Sequence, residues 1–228
     1  MRLQAVLFDL DGTLLDTAGD MGAAANHVID SLSLPLLSKA ILQSTCSDGA
    51  YALLRAGIPP TLIEQHGIEV LRKQMLDFYR ANLCYHTRPY QGVPSLLNWL
   101  TQADIPWGVV TNKPAMLTEP LLAMLPLFAG CGITVSADTL AYKKPHPAPL
   151  LYAAEQLSVA PAHCVYIGDH RRDIEAGHAA GMTTIAAEWG YISPEEDPTQ
   201  WQAHYHLSSA TALEQWLKAS LKSETLKD

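Results

Sequence analysis

Short apolar segments rich in β-branched and aromatic residues recur along this chain, each followed by a stretch with helical spacing. This alternation constrains the fold more than any other feature. The segments are Val6–Phe8, Trp107–Thr111, Ile133–Ser136, Cys164–Ile167, Thr183–Ala187 and a weaker one at Tyr205–Leu207. Strands joined through helices run parallel, because each crossover returns the chain to the same end of the sheet before the next strand begins. The expected fold class is therefore α/β: a Rossmann-like, doubly wound, mainly parallel sheet with helices on both faces.

Between the first two segments the alternation lapses. Residues 16–88 read as helices only, through Ala23–Leu32, Gly49–Ala56 and Thr61–Leu83. In the last of these Leu62, Ile63, His66, Val70, Leu71, Met75, Leu76 and Phe78 fall at approximately helical spacing. An all-helical insertion fits poorly within a layered sheet, so the chain divides into a core of residues 1–15 and 89–228 and a helical cap of residues 16–88. The insertion leaves the first strand at its C-terminal end, where open parallel sheets bind ligands, which makes it a candidate lid. Its hinges are expected at Asp16–Gly19 and Arg88–Gly92, and Lys218–Asp228 reads as the end of a final helix.

With 228 residues, 48% of them hydrophobic, the chain can bury a full core. A net charge of −8 gives no general attraction to nucleic acid or to an anionic membrane surface. The longest apolar stretch, Pro120–Ile133, is too short for a bilayer and is interrupted by Pro126, Gly130 and Gly132, so no membrane span is expected. Cys46, Cys84, Cys131 and Cys164 lie far apart without metal-site or disulfide spacing, and each reads as a small buried hydrophobe in a reducing compartment. Met1-Arg2-Leu3 leads toward Asp9 and Asp11 without a long apolar segment, so a cytoplasmic location is expected.

The strand ends carry the chemistry. Val6–Phe8 runs directly into Asp9-Leu10-Asp11-Gly12-Thr13, delivering two carboxylates, one residue apart, to a tight turn. That is a poor way to build a core and a good way to hold a divalent metal beside a nucleophile. Thr111-Asn112-Lys113 follows the second strand and Gly168-Asp169, with Asp173, follows the fourth, so all would meet on one edge of the sheet. After the third strand, the prolines of Lys143-Lys144-Pro145-His146-Pro147 can stiffen the entry to a helix and position a lysine.

These segments resemble the four motifs of the haloacid dehalogenase superfamily: Asp9 through Thr13, Thr111, Lys144-Pro145, and Gly168-Asp169 through Asp173. The resemblance spans residues 5–187 in order, and the helical insertion is similar to the family's cap. It implies Asp9 as nucleophile forming an aspartyl-phosphate, Asp11 as general acid and base, and Thr111 and Lys144 as phosphate-binding catalytic groups. It also implies Mg2+ held by the carboxylates of Asp9 and Asp169 and the backbone carbonyl of Asp11, with a small phosphorylated metabolite as substrate. Asn112 would orient the substrate, and Asp173 would act on the metal through water or orient Lys144; a charge at a helix start is the alternative for Asp173. Lys143 reads as a solvated neighbour of Lys144, His170 as a partly exposed loop histidine with metal affinity or pH response as its alternative role, and Arg171 and Arg172 as surface arginines with contact to an anionic substrate as the alternative.

The most similar subgroup is the phosphoglycolate phosphatases, whose cap loop resembles Ser44–Ala50. There Ser47 and Asp48 face the site or cap the next helix, and Arg55 is a candidate to offset the Asp48 charge. The run Trp189–Pro198 is similar to one in N-acetylmuramic acid 6-phosphate phosphatases, so a sugar phosphate is the alternative substrate, and Trp189 and Tyr191 either flank the entrance or pack the sheet end. A sugar phosphomutase would use the same aspartyl-phosphate. A dehalogenase would need no metal, against which Asp11 and the Asp169/Asp173 pair speak, and a non-catalytic binding protein is a further, disfavoured class.

Overall fold

The strands expected from the alternation are all present in a computed structural model, which describes residues 3–225. In chain order they are β1 (Ala5–Phe8), two short strands β2 (Leu15–Asp16) and β3 (Arg88–Pro89), then β4 (Trp107–Val110), β5 (Ile133–Val135), β6 (Cys164–Gly168), β7 (Thr183–Ala187) and β8 (Tyr205–Leu207). Six of them form one sheet in the order β5-β4-β1-β6-β7-β8, and every neighbouring pair is parallel.

Because successive side chains point to opposite faces of a strand, β1 feeds two cores. Val6 and Phe8, with Val109, Val165 and Ile185, pack against Leu96 and Leu100 of the helix Val93–Gln102 and Leu213 and Leu217 of the last helix, Ala210–Thr225. Ala5 and Leu7, with Val110 and Tyr166, pack against Leu150 and Ala153 of the helix Ala148–Gln156 and Ala176 of the helix Arg171–Ala179. Each fully buried Val, Leu or Phe contributes roughly 1.5–3 kcal/mol, so the doubly wound arrangement follows from hydrophobic strands that must be covered on both faces. The tail read as helical from Lys218 is so to Thr225; residues 226–228 lie outside the described residues.

Between β2 and β3 lie five α-helices, α1 (Ala18–Ser31), α2 (Lys39–Thr45), α3 (Gly49–Gly57), α4 (Pro60–His66) and α5 (Ile68–Ala81), with a 3-10 turn, Cys46–Asp48, between α2 and α3. Ala25, Val28 and Ile29 of α1, Leu53 and Leu54 of α3, and Leu71, Met75 and Tyr79 of α5 form their own buried cluster, joined from the sheet side by Leu117 and Tyr191. The helix expected over Thr61–Leu83 is two helices, because Gly67 takes φ +79, a left-handed value that breaks the α path. Helix α1 starts at Ala18 rather than Ala23 because the Tyr191 hydroxyl accepts the N–H groups of Thr17 at 2.6 Å and Ala18 at 2.8 Å, doing the work of an N-cap from far along the chain. Short α2 buries none of its residues and left no apolar pattern to read.

At the expected hinges the chain passes twice, and the passes pair antiparallel as Leu15 with Pro89 and Asp16 with Arg88. Asp20 of α1 accepts from the N–H groups of His86 at 2.7 Å and Thr87 at 3.0 Å and from the Thr87 hydroxyl at 2.6 Å, clamping the return segment. Cys46 and Cys164 are buried as expected, but Cys84 and Cys131 are only half-buried. Among the described residues no helix is long and apolar enough to cross a membrane.

Candidate active site

Strand geometry brings the motifs together. The Asp9 N–H donates to the Ile167 carbonyl at 2.8 Å, so the residue after β1 is held against the end of β6, where Asp169 follows Gly168. The Thr111 N–H donates to the Val135 carbonyl at 2.9 Å, continuing β4 by one more bond. Asn112 and Lys144 exchange two bonds, Asn112 Nδ2 to the Lys144 carbonyl at 3.0 Å and the Lys144 N–H to Asn112 Oδ1 at 3.1 Å. Asn112 therefore sets the backbone from which Lys144 projects.

Lys144 is buried, with Nζ 2.9 Å from Asp9 Oδ1 and 2.7 Å from Asp173 Oδ1. Burial opposes its charge, and the Asp173 and Asp9 carboxylates outweigh that, leaving its pKa raised. Asp173 also accepts the His170 N–H at 3.2 Å, so it orients Lys144 and caps its helix at once. Burial pushes Asp9 up to about 6 against the pull of Lys144. Asp169 is pushed further, to about 8, by burial and by the Asp9 and Asp173 charges. Among the described residues Asp169 forms no ion pair; its oxygens accept from the Thr13 hydroxyl at 2.8 Å, the Tyr191 N–H at 2.9 Å and the Ser47 hydroxyl at 3.3 Å.

One carboxylate oxygen each from Asp9, Asp169 and Asp173 lies within 4.8 Å of the others. Lys144 is the ammonium among them, so buried negative charge exceeds positive, and hard oxygen donors at this spacing suit a small divalent cation. Gly12, at φ +85, completes the cradle: a Cβ there would lie 2.0 Å from Asp169 Oδ2.

Asp11 points the other way. Its Oδ1 accepts from the Thr17 hydroxyl at 2.6 Å and from Lys113 Nζ at 2.8 Å. Lys113 is buried, and its ammonium sits 4.6 Å above the Tyr79 ring of α5. Burial again opposes this charge and Asp11 outweighs it, so the lysine pKa is raised. A cavity of about 220 Å³ opens above, lined from the sheet by Asp9, Asp11, Thr111, Lys113 and Lys144 and from the insertion by Ser47 and Asp48 between α2 and α3 and by Arg72, Met75 and Tyr79 of α5.

On the cap side, Asp48 stands at the start of α3 but its side chain makes no capping bond. It reaches instead to Arg172 Nη2 at 3.2 Å and His170 Nε2 at 3.3 Å, and Arg172 also donates to the Ser47 carbonyl at 2.8 Å. Arg55, expected to offset Asp48, is exposed and lies over the Tyr51 ring, outside the cavity lining. Arg172, read as a surface arginine, takes that place because the first turn of its helix points at the cap loop. Asp16 accepts the Tyr191 hydroxyl at 2.7 Å, and Trp189 Nε1 donates to the Thr13 carbonyl at 3.0 Å. Both aromatic residues thus hold the loop after β1.

Residues 6–187 match the family model described as haloacid dehalogenase-like hydrolase. The chain belongs to this family. It is 43% identical over 200 residues to a phosphoglycolate phosphatase of Xanthomonas campestris pv. campestris (strain 8004), an alignment covering 88% of this chain and 90% of that one. To an N-acetylmuramic acid 6-phosphate phosphatase of Pseudomonas aeruginosa it is 41% identical over 203 residues, covering 89% of each. The crystal structure of a predicted phosphoglycolate phosphatase from Haemophilus somnus 129PT superposes with a TM-score of 0.84 at 25% identity, covering 96% of this chain and 99% of that one. This member of the haloacid dehalogenase-like hydrolases is accordingly a phosphoric monoester hydrolase.

Within this hydrolase, Tyr79 and Arg72 line the cavity although the sequence pattern did not mark them, and Lys113 lines it although its place at the strand end carried no assigned role. For Lys113 a signal was present, since it directly follows Thr111 and Asn112 at the same strand end. Tyr79 and Arg72 had none, because helical spacing ranks residues by polarity and does not say which face of a cap helix meets a distant sheet.

Proposed function

We propose that this enzyme hydrolyses a small phosphomonoester with Mg2+ through an aspartyl-phosphate on Asp9, with a phosphoglycolate-type ester as substrate. The observation that carries the reading is the meeting of Asp9, Asp169, Asp173 and Lys144 at the ends of adjacent parallel strands. Mg2+ would be held by the Asp9 and Asp169 carboxylates and the Asp11 carbonyl, and when bound it supplies positive charge to the phosphate oxygens. Lys144 and the Leu10 N–H, 2.9 and 2.7 Å from Asp9 Oδ1, fix the rotation of the nucleophile. Asp9 forms the bond to phosphorus as the ester oxygen leaves, and Asp11 gives that oxygen its proton. Water then displaces Asp9 from phosphorus and yields its proton to Asp11. Thr111 and nearby backbone N–H groups donate to the phosphoryl oxygens. Residues 16–88 act as a cap that excludes water during transfer, moving about the β2/β3 ribbon and opening for release. Free cysteines fit a reducing cytoplasm.

An N-acetylmuramic acid 6-phosphate ester is the second reading, favoured by the Pseudomonas aeruginosa relative at 41% identity. A panel of phosphoglycolate, muramic acid 6-phosphate, nucleotides and para-nitrophenyl phosphate, with and without Mg2+, tests both. We expect inorganic phosphate as product, Mg2+ dependence, and loss of turnover in Asp9→Asn. Full activity in that variant, with contaminants and deamidation excluded, overturns the nucleophile. An isomerised sugar phosphate would mark a mutase instead.

A further inference from the structure

Five cations line the cavity, and their commitments differ. Lys144 is engaged by Asp9 and Asp173, Arg172 by Asp48 and the Ser47 carbonyl, and Lys143 is exposed. Arg72 lies at the rim with its guanidinium 5.0 Å from the Tyr51 ring centre. Lys113 is the deep one, and Asp11 is its ion-pair partner. Beside it Tyr79, only 2% exposed, lines the same cavity with a buried hydroxyl that donates to no acceptor among the described residues, its neighbour Lys113 being a donor itself. Burial pushes the Tyr79 pKa up to about 12, so the phenol stays a donor. A buried donor left unmade is costly, and native proteins keep few of them. One that faces a cavity next to a lysine marks the position of an acceptor that the free protein lacks.

We propose that Lys113 Nζ and the Tyr79 hydroxyl form a subsite for a carboxylate borne by the alcohol part of the substrate, on the carbon next to the ester oxygen. This rests on the phosphatase reading of the same site and deepens it. Asp11 faces the leaving oxygen in that reading, and Lys113 Nζ is 2.8 Å from Asp11. The leaving oxygen and Nζ are therefore separated by no more than two hydrogen-bond lengths if both meet Asp11 Oδ1, roughly 6 Å, and by about 2 Å more if the leaving oxygen meets Oδ2. A carboxylate on the adjacent carbon fits that span, whereas one across a sugar ring reaches only the rim. One ammonium and one phenol match the two oxygens of a carboxylate, and Met21, Met75 and Leu117 close the wall around them. When the substrate carboxylate takes Lys113, Asp11 keeps the Thr17 hydroxyl at 2.6 Å and its Oδ1 is released from the lysine. The ion pair thus acts as a placeholder that an α-phosphooxy acid exchanges for its own.

The test compares 2-phosphoglycolate with its neutral amide, 2-phosphoglycolamide, in Mg2+, with para-nitrophenyl phosphate as the control for phosphatase activity. In the unmodified enzyme kcat/KM should favour the acid by at least tenfold. Tyr79→Phe and Lys113→Met should each lower that acid-to-amide ratio by about tenfold to a hundredfold, the size of a charge-assisted hydrogen bond. A ratio near one in the unmodified enzyme, or a ratio unmoved in folded Tyr79→Phe, overturns the subsite even where para-nitrophenyl phosphate is turned over. Absence of turnover of every ester would instead defeat the phosphatase reading. The acid-to-amide comparison needs no variant, so it decides the matter should Lys113→Met fail to fold.

Discussion

Replacing Lys144 by methionine tests the electrostatic account of the site most directly. The substitution keeps most of the buried stem and deletes an ammonium that lies 2.9 Å from Asp9 and 2.7 Å from Asp173, leaving both carboxylates beside Asp169 without a cation. Breaking a buried pair by removing one partner costs about 3–5 kcal/mol. For a domain of this size each kcal/mol lowers the melting temperature by roughly 2–4 °C, so a fall of roughly 6–20 °C is expected. The stranded carboxylates have one escape, which is to bind protons. Asp9 already titrates at about 6 and Asp169 at about 8, so the cost should be largest above that range and shrink as the solution is acidified. Thermal melts followed by circular dichroism in chelator, near pH 8 and near pH 5, measure it, and adding Asp173→Asn to the Lys144→Met background should recover part of the loss. A fall under about 3 °C near pH 8, or one equal at the two pH values, would refute the reasoning.

The metal-free, unmodified protein should show the same charge excess. The Asp169 pKa is raised on folding, so its contribution is full below the unfolded carboxylate range and is lost as pH rises through about 8. Melting temperature in chelator should fall between about pH 6.5 and 9, and Mg2+ should restore more at the upper end; a flat or rising profile counts against this. Gly12→Ala should abolish turnover, since its Cβ would sit 2.0 Å from Asp169 Oδ2, while Gly181→Ala, with φ +73 and nothing within 4 Å, should cost only about 1–2 kcal/mol of backbone strain. Wild-type turnover by Gly12→Ala in a phosphate-release assay would show that the cradle tolerates a side chain.

Much of the site was legible because its parts lie at strand ends. Asp9, Thr111 and Asp169 each follow an apolar run whose length and composition mark it as a buried strand, and parallel strands bring such residues to one edge without further information. Lys144 was distinguished from Lys143 by the resemblance, whose lysine-proline element it forms with Pro145. Arg55 was misplaced because proximity in sequence to Asp48 says nothing about which direction a helix turns its arginine; the exposed side of α3 carries it away from the cavity. Gly67 was hidden within an apolar periodicity that continues on both sides of it, and only the backbone angle of +79 reveals the break.

Local pattern alone therefore determined the α/β class, the strand ends, the insertion and the acidic pair, because strand and helix periodicity and short motifs are properties of neighbouring residues. Tertiary structure decided what depends on contact between distant segments: Tyr191 starting α1 from the far side of the chain, Arg172 meeting Asp48, and Lys113 lodged between Asp11 and Tyr79. Those contacts join residues many positions apart, and their energies come from desolvation and distance, which are set only when the helices close over the sheet.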